Sequence, residues 1–222
     1  MRRSPPELPE YRKLSKDEVP EEWHYLFDYV PGLAYWEVED DYRRPDNVTG
    51  HVQRAYCVYW SVVMRRRTGG VGLDIGCGNV ISPFCIGLDV YADRRGSDSE
   101  HPVYGGGGYR PHVQACGERL PFKDESFWWI ISCHSLEHME NTFDTLCEWL
   151  RALKPGGIAA IIMPDRNYGP FNDPSHKHEY TPDEFFTEIL MPLVSEGRIE
   201  ILEYDTFKNH HSFNCLLKKV EA

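Results

Sequence analysis

Two glycines spaced by one residue give the first indication of a ligand site. They are Gly76 and Gly78, and they directly follow the β-favouring segment 71–75, in which Asp74 is the single acid. Glycine is used where a chain turns tightly or where a ligand presses against the backbone. A strand that ends in such a turn is where an open α/β sheet binds a nucleotide-like ligand. A tight turn without a ligand stays open as an alternative, because the third glycine of the dinucleotide fingerprint is missing.

Histidines form the second group of residues with chemical potential, because imidazole can accept a proton near neutral pH. His134 and His138 follow a segment that we predict to be a central strand, and His176 and His178 lie in the polar segment 173–180. Residues two apart in an extended chain point to opposite sides, so one of the latter pair is expected to face a site. The candidate catalytic residues are His176, His178 and His134. The alternative for the loop pair is that both are solvated.

A metal site is the third possibility for these polar residues. Carboxylate and imidazole groups are common metal ligands, so Asp173 could join His176 and His178. The three residues lack a spacing typical of a metal site, and we therefore predict no bound metal.

The elements that position these residues alternate between strands and helices. Strands are predicted at 71–75, 86–90, 112–116, 127–133, 158–163, 199–204 and 213–219, and helices at 48–67, 141–154 and 182–192. This alternation is typical of an α/β fold with a doubly wound, mostly parallel sheet, here of seven strands. Because so few residues separate the first two strands, the stretch from Gly78 to Cys85 should hold no more than about one helical turn.

The composition narrows the partners and the compartment. The 222 residues carry a formal net charge of −11, which argues against a nucleic-acid partner. Seven cysteines without a Cys-x-x-Cys pair favour free thiols in a reducing cytoplasm. Neither a signal peptide nor a membrane-spanning run is visible, so we expect a cytoplasmic protein that does not enter a membrane. The sequence does not indicate an oligomeric state.

The segment 1–47 differs in composition from the rest of the chain, and we predict a division between this cap and a ligand-binding domain at 48–222. Its first residues are charged and rich in proline, and are expected to be extended or partly disordered. Seven aromatic residues follow, at Trp23, Tyr25, Phe27, Tyr29, Tyr35, Trp36 and Tyr42. So many rings in a polar segment need a surface to pack on. We expect this cap to cover an edge of the domain or, together with loop 164–181, to close over the site.

Four segments resemble, in order and spacing, the class I S-adenosylmethionine-dependent methyltransferases. They are the glycine segment, the strand ending at Asp89, the region 120–138 and the segment Leu153-Lys154-Pro155-Gly156-Gly157. Within the third, the residues similar to the broad small-molecule (type 11-like) group are Leu120-Pro121-Phe122, Asp124, Ser126-Phe127 and Leu136-Glu137-His138. The resemblance covers about residues 70–165. It implies a Rossmann-like methyltransferase fold with S-adenosyl-L-methionine as cofactor.

The resemblance also implies roles for individual residues. Gly76 and Gly78 would let the backbone approach the methionine end of the cofactor, and Asp74 would orient that loop or meet the amino group. Asp89 would accept hydrogen bonds from both ribose hydroxyls, as an ionised carboxylate can. The cofactor-binding residues implied are Asp74, Gly76, Cys77, Gly78, Asp89, Cys116, Gly117, Glu118 and His134.

The loop Cys116–Glu118 would hold the adenine. Many relatives have an acid where Cys116 stands, and this acid accepts a hydrogen bond from the adenine amino group. Because a cysteine is a poor acceptor, adenine recognition would rest on backbone groups of Gly117 and Glu118.

The function implied is transfer of a methyl group by in-line displacement to a hydroxyl or amine of a small molecule. Such an acceptor loses a proton, and His176 or His178 is suited to take it. His138, inside Leu-Glu-His, is expected to be structural. Two alternatives stay open: a non-catalytic binding protein on a degenerate methyltransferase fold, and a nicotinamide-dependent oxidoreductase. The oxidoreductase would require a third glycine and a longer first helix.

Overall fold

A seven-stranded sheet organises the residues that the computed structural model describes, which are 49–78, 81–90, 111–169, 174–207 and 211–221. The strands are β1 Gly72–Ile75, β2 Cys85–Asp89, β3 Val113–Gln114, β4 Phe127–Cys133, β5 Leu153–Pro164, β6 Ile199–Phe207 and β7 Ser212–Lys219. The helices are α1 Thr49–Thr68, α2 Thr142–Ala152 and α3, which joins Pro182–Glu184, the π-helical Phe185–Leu190 and Met191–Ser195. Short 3-10 turns lie at Leu136–His138 and Arg166–Tyr168.

The strand order is β3-β2-β1-β4-β5-β7-β6. All neighbours are parallel up to β5, and β7 runs antiparallel to both β5 and β6. The predicted doubly wound, mostly parallel sheet of seven strands is therefore confirmed. Parallel strands have their carboxyl ends on the same side of the sheet. The predicted site residues at the ends of β1, β2 and β4 therefore lie on that side.

Alternating side chains give the sheet two apolar faces. Ile130 packs in one core cluster with residues of α2 and α3, including Trp149 and Phe185. Its neighbours Trp129 and Ile131 belong to a second cluster with α1. Since successive strand residues point to opposite faces, helices cover β4 on both sides, which explains why its sequence is apolar throughout.

Several predicted boundaries need adjustment, and β6 for example extends to Phe207. β2 begins at Cys85, and β3 is limited to two residues. β5 begins at Leu153 rather than 158, because the segment through Gly156, at φ +72°, continues the strand with a register shift against β4. The described part of the β1–β2 connection contains no helix, as its length predicts. The cap 1–47 lies outside the described residues.

Within the described part of the chain, no helix combines the length and apolar character needed to cross a membrane.

Candidate active site

The loop Gly76–Gly78, here called the glycine loop, is fixed to the end of β2 by backbone hydrogen bonds. The N–H groups of Gly76 and Cys77 donate to the carbonyl of Leu88 at 2.8 and 3.2 Å. Both glycines have positive φ, +68° and +57°, which L side chains rarely adopt. A Cβ on Gly76 would stand 1.8 Å from the Oγ of Ser135, whereas one on Gly78 meets no described atom within 4 Å. Gly76 is thus required by protein packing, and Gly78 is the open position of the loop.

Two buried carboxylates hold the segments around the glycine loop. Asp89, at the end of β2, accepts a hydrogen bond from the Gly78 N–H at 2.9 Å. Asp74, within β1, accepts one from the Ser82 N–H at 2.6 Å. Asp74 therefore fixes the later part of the β1–β2 connection, and its role toward the glycine loop or the cofactor stays a prediction. An ionised carboxylate has about four acceptor positions, so Asp89 can serve Gly78 and ribose hydroxyls together.

The adenine loop predicted at Cys116–Glu118 is packed against the segment after β4. A Cβ on Gly117 would lie 2.7 Å from the Cε of Met139, and the Gly117 carbonyl accepts a hydrogen bond from Trp149 Nε1 at 2.8 Å. The Glu118 carboxylate accepts the Glu140 N–H at 2.7 Å, and Cys116 is an exposed thiol. The Glu118 side chain thus stabilises the loop. Recognition of the adenine by the backbone groups of Gly117 and Glu118 stays a prediction.

His134 follows β4 in a left-handed conformation, with φ +53°. Its Nδ1 lies 3.3 Å from Oε1 of the buried Glu137, and its Nε2 lies 3.2 Å from Ser212 Oγ. Burial alone would lower the pKa of His134, but the contact with Glu137 and that group's negative charge raise the pKa to about 9. With both nitrogens in contact with protein groups, His134 is less suited to accept a substrate proton than sequence reasoning suggested.

Residues 174–180, here called the histidine loop, dock onto the turn Leu136–His138. The N–H groups of Lys177 and His178 both donate to the Glu137 carbonyl, at 2.8 and 3.2 Å. Lys177 also forms an ion pair with Glu140 at 2.8 Å. The residue before this turn, Ser135, is the one that contacts the glycine loop. One turn therefore joins the histidine loop to the predicted cofactor end of the sheet.

The two histidines of this loop have different surroundings. His176 Nδ1 lies 3.3 Å from the Glu179 carboxylate, and the His176 side chain is only 10% exposed. His178 Nε2 lies 2.9 Å from the Glu140 carbonyl, to which it donates, since a carbonyl only accepts. The described contacts are thus made by Nδ1 of His176 and by Nε2 of His178. Asp173, the third member of the predicted cluster, lies outside the described residues.

The structure brings together two residues that sequence reasoning set aside. Glu137 and His138 lie with His176 in one cluster, in which one potential ligand atom from each residue falls within 4.8 Å of the others. His138 and His176 are 38 positions apart in the sequence, so no spacing rule could have joined them. The adjacent acid and histidine, Glu137 and His138, were the available signal.

The described residues fit an adenosine-type cofactor at the carboxyl ends of β1 and β2. The glycine loop offers an open position at Gly78, and the acid Asp89 stands beside it. A strand, a glycine turn and an acid at the end of the next strand are what a nucleoside-like ligand requires. The fold is that of the Rossmann-like methyltransferases.

Comparison with known proteins gives the family. Residues 73–161 match the family model described as a methyltransferase domain. This match confirms, over residues 73–161, the resemblance to the class I S-adenosylmethionine-dependent methyltransferases. Residues 73–161 therefore correspond to a methyltransferase domain, and S-adenosylmethionine is the cofactor that this match indicates.

Proteins similar to this chain include a curated relative and two solved structures. The uncharacterized protein MJ1123 of Methanocaldococcus jannaschii is 28% identical over 160 residues, which are 68% of this chain and 70% of that protein. A chain of the Haloferax volcanii complex between the Trm112 methyltransferase activator and a candidate methyltransferase superposes with a TM-score of 0.53, at 13% identity, over 79% of this chain and 94% of that chain. An S-adenosylmethionine-dependent methyltransferase from Aquifex aeolicus gives a TM-score of 0.49 at 15% identity, over 80% of this chain and all of that one (100%).

Proposed function

We propose that this methyltransferase transfers the methyl group of S-adenosylmethionine to a hydroxyl or amine of a small molecule. The observation that carries the proposal is the docking of the histidine loop on the turn Leu136–His138, next to the glycine loop. A proton-accepting residue is thereby held at the edge of the sheet where the cofactor loop lies. The acidic charge of the chain favours a small molecule over a nucleic acid as acceptor.

The cofactor supplies the reactive methyl group when it is bound. The protein has to hold the acceptor in line and remove its proton, and alignment alone can provide several kcal/mol of the barrier. Gly78 and Asp89 would hold the cofactor, with Asp89 accepting from its ribose. Cys77, Cys116, Gly117 and Glu118 keep the supporting roles that the resemblance implies.

His176 is the residue that we assign to the acceptor proton. Glu179 faces its Nδ1 at 3.3 Å, and a carboxylate at this position holds the imidazole so that Nε2 carries the lone pair. His178 is less suited, because its Nε2 donates to the Glu140 carbonyl and its ring stacks on Tyr180. His134 is engaged by Glu137 and Ser212.

The test compares His176→Asn with His178→Asn as a matched control from the same loop. Turnover is measured as S-adenosylhomocysteine formed with a panel of small alcohols, phenols and amines. We expect His176→Asn to lower kcat by about 10²-fold, the usual scale for loss of a general base, while the affinity for S-adenosylhomocysteine stays at the parent value. We expect the control to retain parent turnover.

Two results would count against the proposal. Parent turnover in His176→Asn would show that this residue is not the proton acceptor. Tight cofactor binding without turnover on any hydroxyl or amine would favour the non-catalytic alternative.

A further inference from the structure

The cluster of Glu137, His138 and His176 has the geometry of an unclosed metal site. The potential ligand atoms lie within 4.8 Å of one another, and the two imidazole rings are 4.9 Å apart at 72°. Atoms bonded to zinc at about 2.0–2.1 Å in tetrahedral directions stand about 3.4 Å apart. Small rotations about side-chain bonds can close the remaining distance.

Both histidines have the outer contacts that metal-binding histidines usually make. His138 Nδ1 lies 3.2 Å from the Ser175 carbonyl, and His176 Nδ1 lies 3.3 Å from the Glu179 carboxylate. A histidine ligand typically donates its second ring N–H to a carbonyl or carboxylate, and this fixes the ring and its tautomer. The two contacts therefore lie at Nδ1, and the Nε2 atom of each ring is on the side that faces away from those partners.

Glu137 is an independent indication that a cation belongs here. Its side chain is fully buried, and neither carboxylate oxygen receives a hydrogen bond from the described residues. Its one described ion-pair contact is with His134 at 3.3 Å. A buried charge is costly unless it is compensated by hydrogen bonds, opposite charges or a metal. A divalent cation between Glu137 and the two imidazoles would add to the compensation that His134 gives from the other side.

The backbone holds the two halves of the cluster together. The carbonyl of Glu137 itself accepts from the Lys177 and His178 N–H groups, which follow His176 directly. The ligands on the turn and on the histidine loop are therefore close before any ion binds, which reduces the conformational entropy lost on binding.

We propose that Glu137, His138 and His176 bind one divalent transition-metal ion, for which zinc is the best match. Two imidazoles and one carboxylate are a donor set that zinc accepts, and three protein ligands leave a fourth position for water or another ligand. This proposal does not depend on the proposed methyl acceptor. In the metal-loaded chain Nε2 of His176 is a ligand, so the proton-accepting role assigned above belongs to the metal-free chain.

The test uses zinc alone. All proteins carry Cys116→Ser, because this exposed thiol could otherwise compete for the metal. The chelator-treated chain is titrated with zinc against a chromophoric competitor. We expect one zinc per chain, and at least a 100-fold loss of affinity in His138→Gln and in His176→Gln, since even outer-shell changes cost 10–100-fold. We expect His178→Gln, on the same loop, to bind like the parent.

Circular dichroism of each variant separates loss of the ligand from loss of the fold, and both histidine variants replace partly exposed residues. X-ray absorption at the zinc edge should show two imidazole nitrogens in the parent. The proposal fails if the parent binds no zinc, if His176→Gln keeps parent affinity, or if His178→Gln loses as much as the two ligand variants.

The outcomes also separate this site from the proposed function. A chain that binds zinc and transfers no methyl group would overturn the proposed function and leave the metal site standing. A chain that transfers methyl groups and binds no zinc would overturn the metal site and leave the proposed function standing.

Discussion

The glycine loop and the histidine loop lie at the same edge of the sheet but are held in different ways. The glycine loop is fixed by short-range backbone bonds to β2 and by one carboxylate, Asp89. The histidine loop combines two backbone bonds to Glu137 with side-chain contacts at His138, His176 and His178. Its partners stand about forty positions earlier in the chain.

The difference indicates which changes each loop tolerates. Backbone bonds do not depend on side-chain identity, so the glycine loop depends on the few positions where φ or space forbids a Cβ. The histidine loop depends on the particular side chains that meet there. A methyltransferase can therefore keep its cofactor loop while its acceptor chemistry changes. Three substitutions test this contrast, in addition to the histidine and zinc experiments above.

The largest effect is expected for Gly76→Ala. The new Cβ would lie 1.8 Å from Ser135 Oγ, and the backbone at this position is left-handed. Overpacking and backbone strain would therefore both destabilise the variant. We expect a loss of about 3 kcal/mol in the free energy of unfolding. Gly78→Ala is the control, because it has the strain without the clash and should lose about 1 kcal/mol. Equal losses in chemical denaturation of both variants would contradict the packing argument.

A smaller effect is expected for Asp89→Ala, measured as cofactor affinity by calorimetry. Loss of charge-assisted hydrogen bonds to the ribose should cost about 1–3 kcal/mol, or roughly 5- to 150-fold in Kd. Glu200→Gln removes the same charge from β6, where its carboxylate is largely exposed beside Lys218, and should leave Kd unchanged. Unchanged affinity in Asp89→Ala would show that the ribose assignment is wrong.

The smallest effect is expected for Thr181→Ala, at the junction of the histidine loop and α3. Thr181 and Glu184 form a capping box, with the Thr181 hydroxyl accepting the Glu184 N–H. Its loss should cost about 1 kcal/mol in the free energy of unfolding and leave cofactor affinity unchanged. Thr187→Ala, whose exposed hydroxyl bonds only to backbone carbonyls one turn earlier, is the control and should cost less. A changed cofactor Kd in Thr181→Ala would show that the two loops are coupled.

The sequence predicted the sheet because its signals are local. An apolar run or a pair of glycines can be recognised from adjacent residues alone. The run Phe127–Cys133 is an example, because β4 has the bounds that the sequence predicts. The bounds of β5 were missed because Gly156 reads as a turn, whereas it lies in a strand with a register shift.

The candidate site was less predictable because its contacts are distant in sequence. The requirement for Gly76 comes from Ser135, and the partners of His176 include residues of the turn Leu136–His138. Residue types alone indicated that the histidines could do chemistry. They did not indicate that Glu137 is buried beside two of them.

The position of β7 has a consequence for how the chain matures during synthesis. β6 pairs in the sheet with β7, which lies between it and β5. β6 precedes β7 in the chain, so β6 joins this sheet only after Ser212–Lys219 has been synthesised and lies between the two strands. Because domains form while translation proceeds at about 5–20 residues per second, the edge of β5 is expected to be open to wrong pairing until then. A strand that comes later in the chain than β6 thus covers the edge of β5.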